Sequence, residues 1–172
     1  MQSMKQYLID LTRFNHWANE RISSYILKAG ESKADAVQKS SFPSIRKTLY
    51  HLWDAQVIWL GRLRGHSLNA WPSQTFQGSL EEAVAQIAFN SLEIVRFVEG
   101  LNENDVERDV IYHAMDGKAW QNTVTEVIMH LVNHGTYHRG QLITMLRNSG
   151  YEDVGSTDMT RWFRTIKSGT GF

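Results

Sequence analysis

An all-α four-helix bundle is the fold class that three features of the sequence predict. Apolar residues recur at helical spacing in four long segments, and four amphipathic helices in one small domain pack as a bundle. Only two prolines occur, Pro43 and Pro72, both where a helix would begin or a loop would run. Two Ser/Thr-x-x-Glu patterns, at Ser79 and Thr123, supply capping boxes that mark helix starts.

The first helix is expected over about Met4 to Lys28, carrying Leu8, Leu11, Ile22, Tyr25 and Ile26 at its apolar positions and ending near Gly30. A polar link, ESKADAVQKSS, follows. The second helix begins around Pro43 and Ser44 and runs to Arg64, with Ile45, Leu49, Leu52, Trp59, Leu60 and Leu63 in helical register. After the turn-rich GHSLNAWPSQTFQG, the third opens with Ser79 and Glu82 and continues to about Leu101. The fourth opens with Thr123 and Glu126 and ends at Ser149-Gly150. Between the third and fourth helices, DVIYHAMDGKAWQNT partly alternates around Asp116-Gly117, which predicts a short two-residue-turn hairpin or an extended loop. The tail carries an amphipathic turn or short helix, TDMTRWFRTI. Residues 1–172 read as one domain, long enough at 19.8 kDa to bury a real core.

Composition narrows the function classes. Eighteen basic residues balance eighteen acidic ones, so net charge favours neither nucleic acid nor a membrane surface as partner. Without cysteine there is no disulfide framework, no thiolate metal ligand and no protein thiol nucleophile. No apolar run approaches the ~20 residues of a membrane helix, and the start, MQSMKQYLIDLTRFNHWANE, lacks a signal-peptide core. With a mean hydropathy of −0.38, the expectation is a cytoplasmic protein.

The most informative segment is HLVNHGTYHRGQL, His130 to Leu142. It spaces His130, His134 and His138 four residues apart within a helical pattern, so neighbours lie on one face roughly 6 Å apart along the axis. Two imidazoles so placed can converge on one ion. His130 and His138, roughly 12 Å apart, cannot share one, so other helices must complete any ligand set. Val124, Val127, Leu131, Leu142 and Met145 trace an apolar stripe, with His138 near its middle and His134 about 40° to its flank. His130 lies at the polar boundary. Burial therefore favours His134 and His138 as a chelating pair, although buried histidines making ordinary hydrogen bonds would show the same pattern.

The segments FNHWANERI, SFPSIRKTLYHLWDAQVIWLGRLRG and HLVNHGTYHRGQL occur in that order, and together they resemble the DinB-like (YfiT-like) metal-binding helical bundles. The similarity spans roughly residues 5–165, and the His-x-x-x-His-Arg-Gly-Gln ending is its most specific part. The resemblance implies a divalent metal held by one histidine of the second helix and two of the fourth: His51, His134 and His138. Spacing alone does not select His51, which sits at the edge of its helix's apolar stripe beside Ala55 and Ile58. His16, His66, His113 and His130 are expected on the surface or in hydrogen bonds, with Asn15 and Trp17 as alternative inward residues; His130 and Asn133 are candidate outer-shell partners.

Three neutral imidazoles leave an ion its full charge and an open position, the ligand pattern of catalytic zinc sites. The donor set suits zinc or nickel first, and copper or iron also accept imidazole. Where a zinc protease places its general-base Glu after the first His, this chain has Gly135, which argues against proteolysis. Asp54 and Glu126 lie one and two turns from ligand positions, but nothing singles out either as a base. An external small thiol as cosubstrate and an electrophilic substrate suit the cysteine-free inventory, and the resemblance implies such thiol-dependent transferases or isomerases. The alternative is a non-enzymatic, stress-associated metal-binding protein. Gln141 is expected to face the site as a hydrogen-bond donor, and Arg139 to project from the stripe into an ion pair or towards an anionic cosubstrate. Relatives often pair through helices, and off-stripe Trp53 with Val57 suggests a second apolar face and a homodimer.

Overall fold

The computed structural model describes residues 2–169. Its elements are α1 (Met4–Ala29), α2 (Glu31–Asp35), α3 (Ile45–Leu63), α4 (Leu80–Glu99), β1 (Asp109–His113), β2 (Ala119–Thr123), α5 (Val124–Asn148) and α6 (Met159–Lys167). The four long helices α1, α3, α4 and α5 form the bundle, and α1 and α3 each pack against both α4 and α5. An all-α bundle is thus the fold. Among the described residues, no helix is long and apolar enough to cross a membrane.

Local chemistry sets the helix starts. Ser3, Ser44, Ser79 and Thr123 each accept a hydrogen bond from a backbone N–H of the first turn through the side-chain oxygen. The backbone N–H groups of Ser79 and Thr123 in turn donate to the carboxylates of Glu82 and Glu126, which completes the capping box. Apolar faces then meet in three clusters, the smallest around Phe14, Trp17 and Trp162 and the other two at the ends of the bundle. One gathers Ile22, Ile26, Ile45, Leu49, Ile87, Leu142 and Leu146 at one end of the bundle. The other gathers Leu8, Leu60, Ile94, Val98, Val127, Ile128 and Leu131 at the opposite end, where Val110 and Tyr112 of β1 cap it. His134 and His138 fall between Leu131 and Leu142, at the waist between the clusters.

Three expectations change in detail. The link after Gly30 is not wholly irregular: Glu31–Asp35 forms the short helix α2, which buries Ala34 and holds Arg46 through Asp35 and Glu31. The hairpin is real, antiparallel with Asp109 opposite Thr123 and His113 opposite Ala119, but its turn is wider than two residues. Ala114 N–H bonds to Lys118 O at 2.8 Å, and Gly117 adopts the left-handed φ of 81° that ends a three-residue turn. Trp53 offers no partner surface. It is 7% exposed, with its ring edge-on to Tyr50 and Phe76, because the segment between α3 and α4 folds back over it. Val57 packs partly buried against the same cluster.

Candidate metal centre

α3 and α5 lie side by side, and their histidines meet in the groove between them. His51 Nε2 stands 2.9 Å from His134 Nε2, while the ring centroids of His138 lie 4.4 Å from His134 and 4.6 Å from His51. One ligand nitrogen from each of the three falls within 4.8 Å of the others. Two nitrogens on one zinc ion, each at about 2.0–2.1 Å, stand roughly 3–3.5 Å apart, a spacing close to that of His51 and His134. The group could hold a metal ion.

The electrostatics suit a cation's ligands. Burial first, then the neighbouring imidazoles, lowers the His134 pKa to about 3; burial and His138 lower that of His51 to about 4. Burial likewise lowers His138, against the opposing pull of its bond to Gln141. All three rings are therefore neutral at physiological pH, with lone pairs available without proton displacement. His138 Nδ1 lies 2.8 Å from Gln141 Oε1, so the ring donates there and turns its Nε2 lone pair to the centre. Gln141 thus acts as an acceptor rather than the expected donor, and its own amide N–H₂ donates to Ser41 Oγ at 2.8 Å. Such orientation of a ligand ring by an outer partner is what metal-binding histidines usually have. The residues present fit a divalent ion.

The other candidates go elsewhere. His130 is exposed, its ring 5.0 Å from Trp59 and 5.7 Å from His134, outside the three-histidine group. Asn133 is exposed. His16 lies in the α1–α4 groove, with Nδ1 2.7 Å from Ser91 Oγ. His66 and His113 are exposed in a turn and in β1. The Asp54 carboxylate accepts from Ser73 N–H at 2.8 Å and Ser73 O–H at 2.6 Å, fastening the loop after α3. Glu126 is committed to the cap of α5. Neither serves the histidines as a base.

Arg139 departs furthest from expectation. It is 1% exposed and meets no carboxylate; Nη1 donates to Asn15 Oδ1 at 2.6 Å and Asn19 Oδ1 at 2.8 Å, and Nη2 donates to Thr136 Oγ1 at 3.0 Å. Burial pushes its pKa down to about 9, so it stays cationic at neutral pH and is satisfied by oriented dipoles instead of an ion pair. It therefore joins α5 to α1. Gly135 is part of the same packing: a Cβ there would stand 2.6 Å from Asn15 Oδ1 and 2.7 Å from Arg139 Nη1. The residue that replaces a protease's Glu is thus held small by a neighbour. Asn15 and Asn19 were legible only as the i,i+4 pair inside FNHWAN, which gives no hint of a buried cation.

The groove opens beside His51 into a cleft of about 430 Å³, lined by Phe42, Lys47, Tyr50, His51, Asp54 and Trp71 among others. Phe42 stacks on His51 with centroids 4.4 Å apart, and Trp71 tilts towards the same ring at 6.5 Å. A family model described as the DinB family matches residues 1–165. The chain belongs to the DinB family. Protein DinB of Bacillus subtilis (strain 168) is 26% identical over 155 residues, covering 86% of this chain and 89% of that protein. FNHWAN, the α3 block and HRGQ all fall within the matched residues 1–165, and residues of the first and last of these segments meet at Arg139.

Proposed function

We propose that this DinB-family protein binds one divalent metal ion, zinc or nickel first, through His51, His134 and His138, and transfers a small thiol to an electrophilic substrate. The observation that carries the reading is a cluster of three neutral imidazoles, with no carboxylate in the group, at the edge of a cleft large enough for a small molecule. A divalent ion held there supplies Lewis acidity and favours the thiolate form of a small thiol near neutral pH. The chain's own residues do the rest. His138 is oriented by Gln141, Phe42 fixes the His51 ring by stacking, and the apolar clusters on either side keep water from the back of the site. In the transfer the thiol proton leaves to solvent, and sulfur forms a bond to the electrophilic carbon as the leaving group departs. Small thiols are plentiful in the reducing cytoplasm, where this reading locates the protein.

A second reading, a non-enzymatic and stress-associated metal-binding protein, is favoured by the placement of the histidines on two helices, since an ion there would staple α3 to α5. Metal analysis of His51→Ala, His134→Ala and His138→Ala tests the ligand set: each should lose most of its metal, and His130→Ala should not. Unchanged metal in His51→Ala removes it from the set. Cobalt-substituted protein titrated with cellular thiols then separates the two readings. A sulfur-to-metal charge-transfer band with turnover supports the transferase; no band and no turnover leaves the stapling role. Pairing into a homodimer is tested by light scattering across micromolar concentrations.

A further inference from the structure

Trp71 is 36% exposed, a large ring left facing solvent beside the histidines, yet its backbone is fixed. Pro72 opens a single helical turn over Pro72–Gln74, closed by Gln74 N–H to Trp71 O at 3.0 Å. Ser73, two residues on, is bound to Asp54 of α3 by both its N–H and its hydroxyl. Asp54 is 5% exposed and follows His51 by three residues, close to one helical turn, so the loop is tied to the same stretch of α3 that carries the candidate ligand. An exposed indole on a fixed backbone therefore lines the cleft together with Phe42, which stacks on His51. Aromatic surface carried on a fixed loop in this way is suited to stacking on a flat ligand, because the loop needs no ordering on binding.

The charges of the lining are unequal in access. Asp54 has both carboxylate oxygens occupied by Ser73 and is shielded from solvent. Lys47 is exposed, its ammonium 5.4 Å from the centroid of Tyr50, and no ion pair holds it among the described residues. His51 is neutral. Among the described residues that line the cleft, the charged side chain open to an incoming molecule is therefore Lys47.

The geometry points to a flat aromatic acid as the substrate class of this cleft: its ring system stacks on Trp71 and Phe42, its carboxylate meets Lys47, and Asp54 is the positioning residue that holds Trp71 in place. This deepens the transferase reading by naming the electrophile's binding half, and it concerns binding only.

The test is isothermal titration of the full-length protein without any thiol, with and without zinc, using 2-naphthoate, 2-naphthamide, 1-naphthylmethylamine and cyclohexanecarboxylate as probes. The expected order places 2-naphthoate first, with the other three at least several-fold weaker. Trp71→Ala should weaken 2-naphthoate about 2- to 12-fold, the range of one aromatic pair, while Trp71→Phe retains most of the binding. Lys47→Gln should abolish the preference for the acid over the amide. Asp54→Leu keeps the branched side-chain shape and removes both acceptors; it should weaken 2-naphthoate as Trp71→Ala does while metal content is unchanged, which a merely structural role would not produce. Equal binding of the amine or the cyclohexane acid, or an unaltered affinity in Trp71→Ala, overturns the proposal. Binding that vanishes with zinc removal puts the carboxylate on the ion instead of Lys47 and also overturns it. Because no thiol is present, these outcomes are separate from success or failure of thiol transfer.

Discussion

Gly135→Ala and Gly140→Ala make the same chemical change on α5, and the structure gives them opposite signs. Both glycines are helical, so each alanine gains up to about 1 kcal/mol of helix propensity. At Gly140 a Cβ meets nothing within 4 Å, so that gain stands alone. At Gly135 the new carbon would lie 2.6 Å from Asn15 Oδ1 and 2.7 Å from Arg139 Nη1, side-chain ends that are 4% and 1% exposed and bonded to each other, so that moving either one disturbs their hydrogen bond. Overpacking costs about 1–3 kcal/mol. Displacing one charge-assisted hydrogen bond costs about 1.5–3 kcal/mol more. After subtracting the propensity gain, Gly135→Ala should lose about 2–5 kcal/mol, or about 4–20 °C of melting temperature for a chain of this size. Thermal unfolding followed by far-ultraviolet circular dichroism, with chelator present so that metal linkage does not enter, measures both variants. A Gly135→Ala protein that melts at or above the parent temperature refutes the reasoning about the Arg139 contact. A Gly140→Ala protein that melts well below it refutes the account of that open site.

Metal-free protein should lose stability as the pH falls from about 6.5 towards 4, because unfolded histidines bind protons near 6.5 while His51 and His134 in the fold wait until about 4 and 3. The unfolded chain holds more protons throughout that window, so stability rises with pH, by at most about 1.4 kcal/mol per pH unit for each group; a His51→Asn, His134→Asn double variant should flatten the dependence, and an unchanged slope counts against it. His16 and His130, also lowered, add in the same direction and remain in the double variant. Thr123→Ala removes the cap of α5 and should cost about 0.5–2 kcal/mol by chemical denaturation, with early hydrogen exchange at residues 124–127; full protection there would contradict the role. Trp53→Ala should cost about 3–5 kcal/mol with no change in oligomeric state by light scattering, as expected of core rather than interface.

What the sequence made legible was local. Apolar spacing and the Ser79 and Thr123 boxes place the long helices within a residue or two, because these signals act over a single turn. The adjacency of His134 and His138 was legible for the same reason. His51 was not, since its partner His134 is 83 residues away and only the family resemblance connected them. The helical wheel gave Trp53 and Arg139 the correct angle and the wrong environment. Trp53 leaves the bundle stripe, but Phe76 from the next loop covers it; Arg139 leaves the stripe, but α1 lies on that side with two amide oxygens aimed at it. Which chain segment covers an off-stripe residue is a tertiary fact that no periodicity records. The α2 helix went unread because, with one buried residue, it has no apolar face to reveal.

The contacts between Arg139 and α1 bridge 124 and 120 residues, and so carry a consequence for the order in which the protein is made. During synthesis α1, α3 and α4 emerge while Asn15 and Asn19 still lack their donor and His51 its neighbours. The N-terminal helices can collapse on their apolar faces. They cannot acquire the polar tie or the ligand cluster until residue 139 clears the ribosome, when a single turn of α5, from Gly135 to Arg139, completes both at once. A chain stopped before that turn keeps α1, α3 and α4 in their entirety and has neither the site nor the bond that fixes its helices in place.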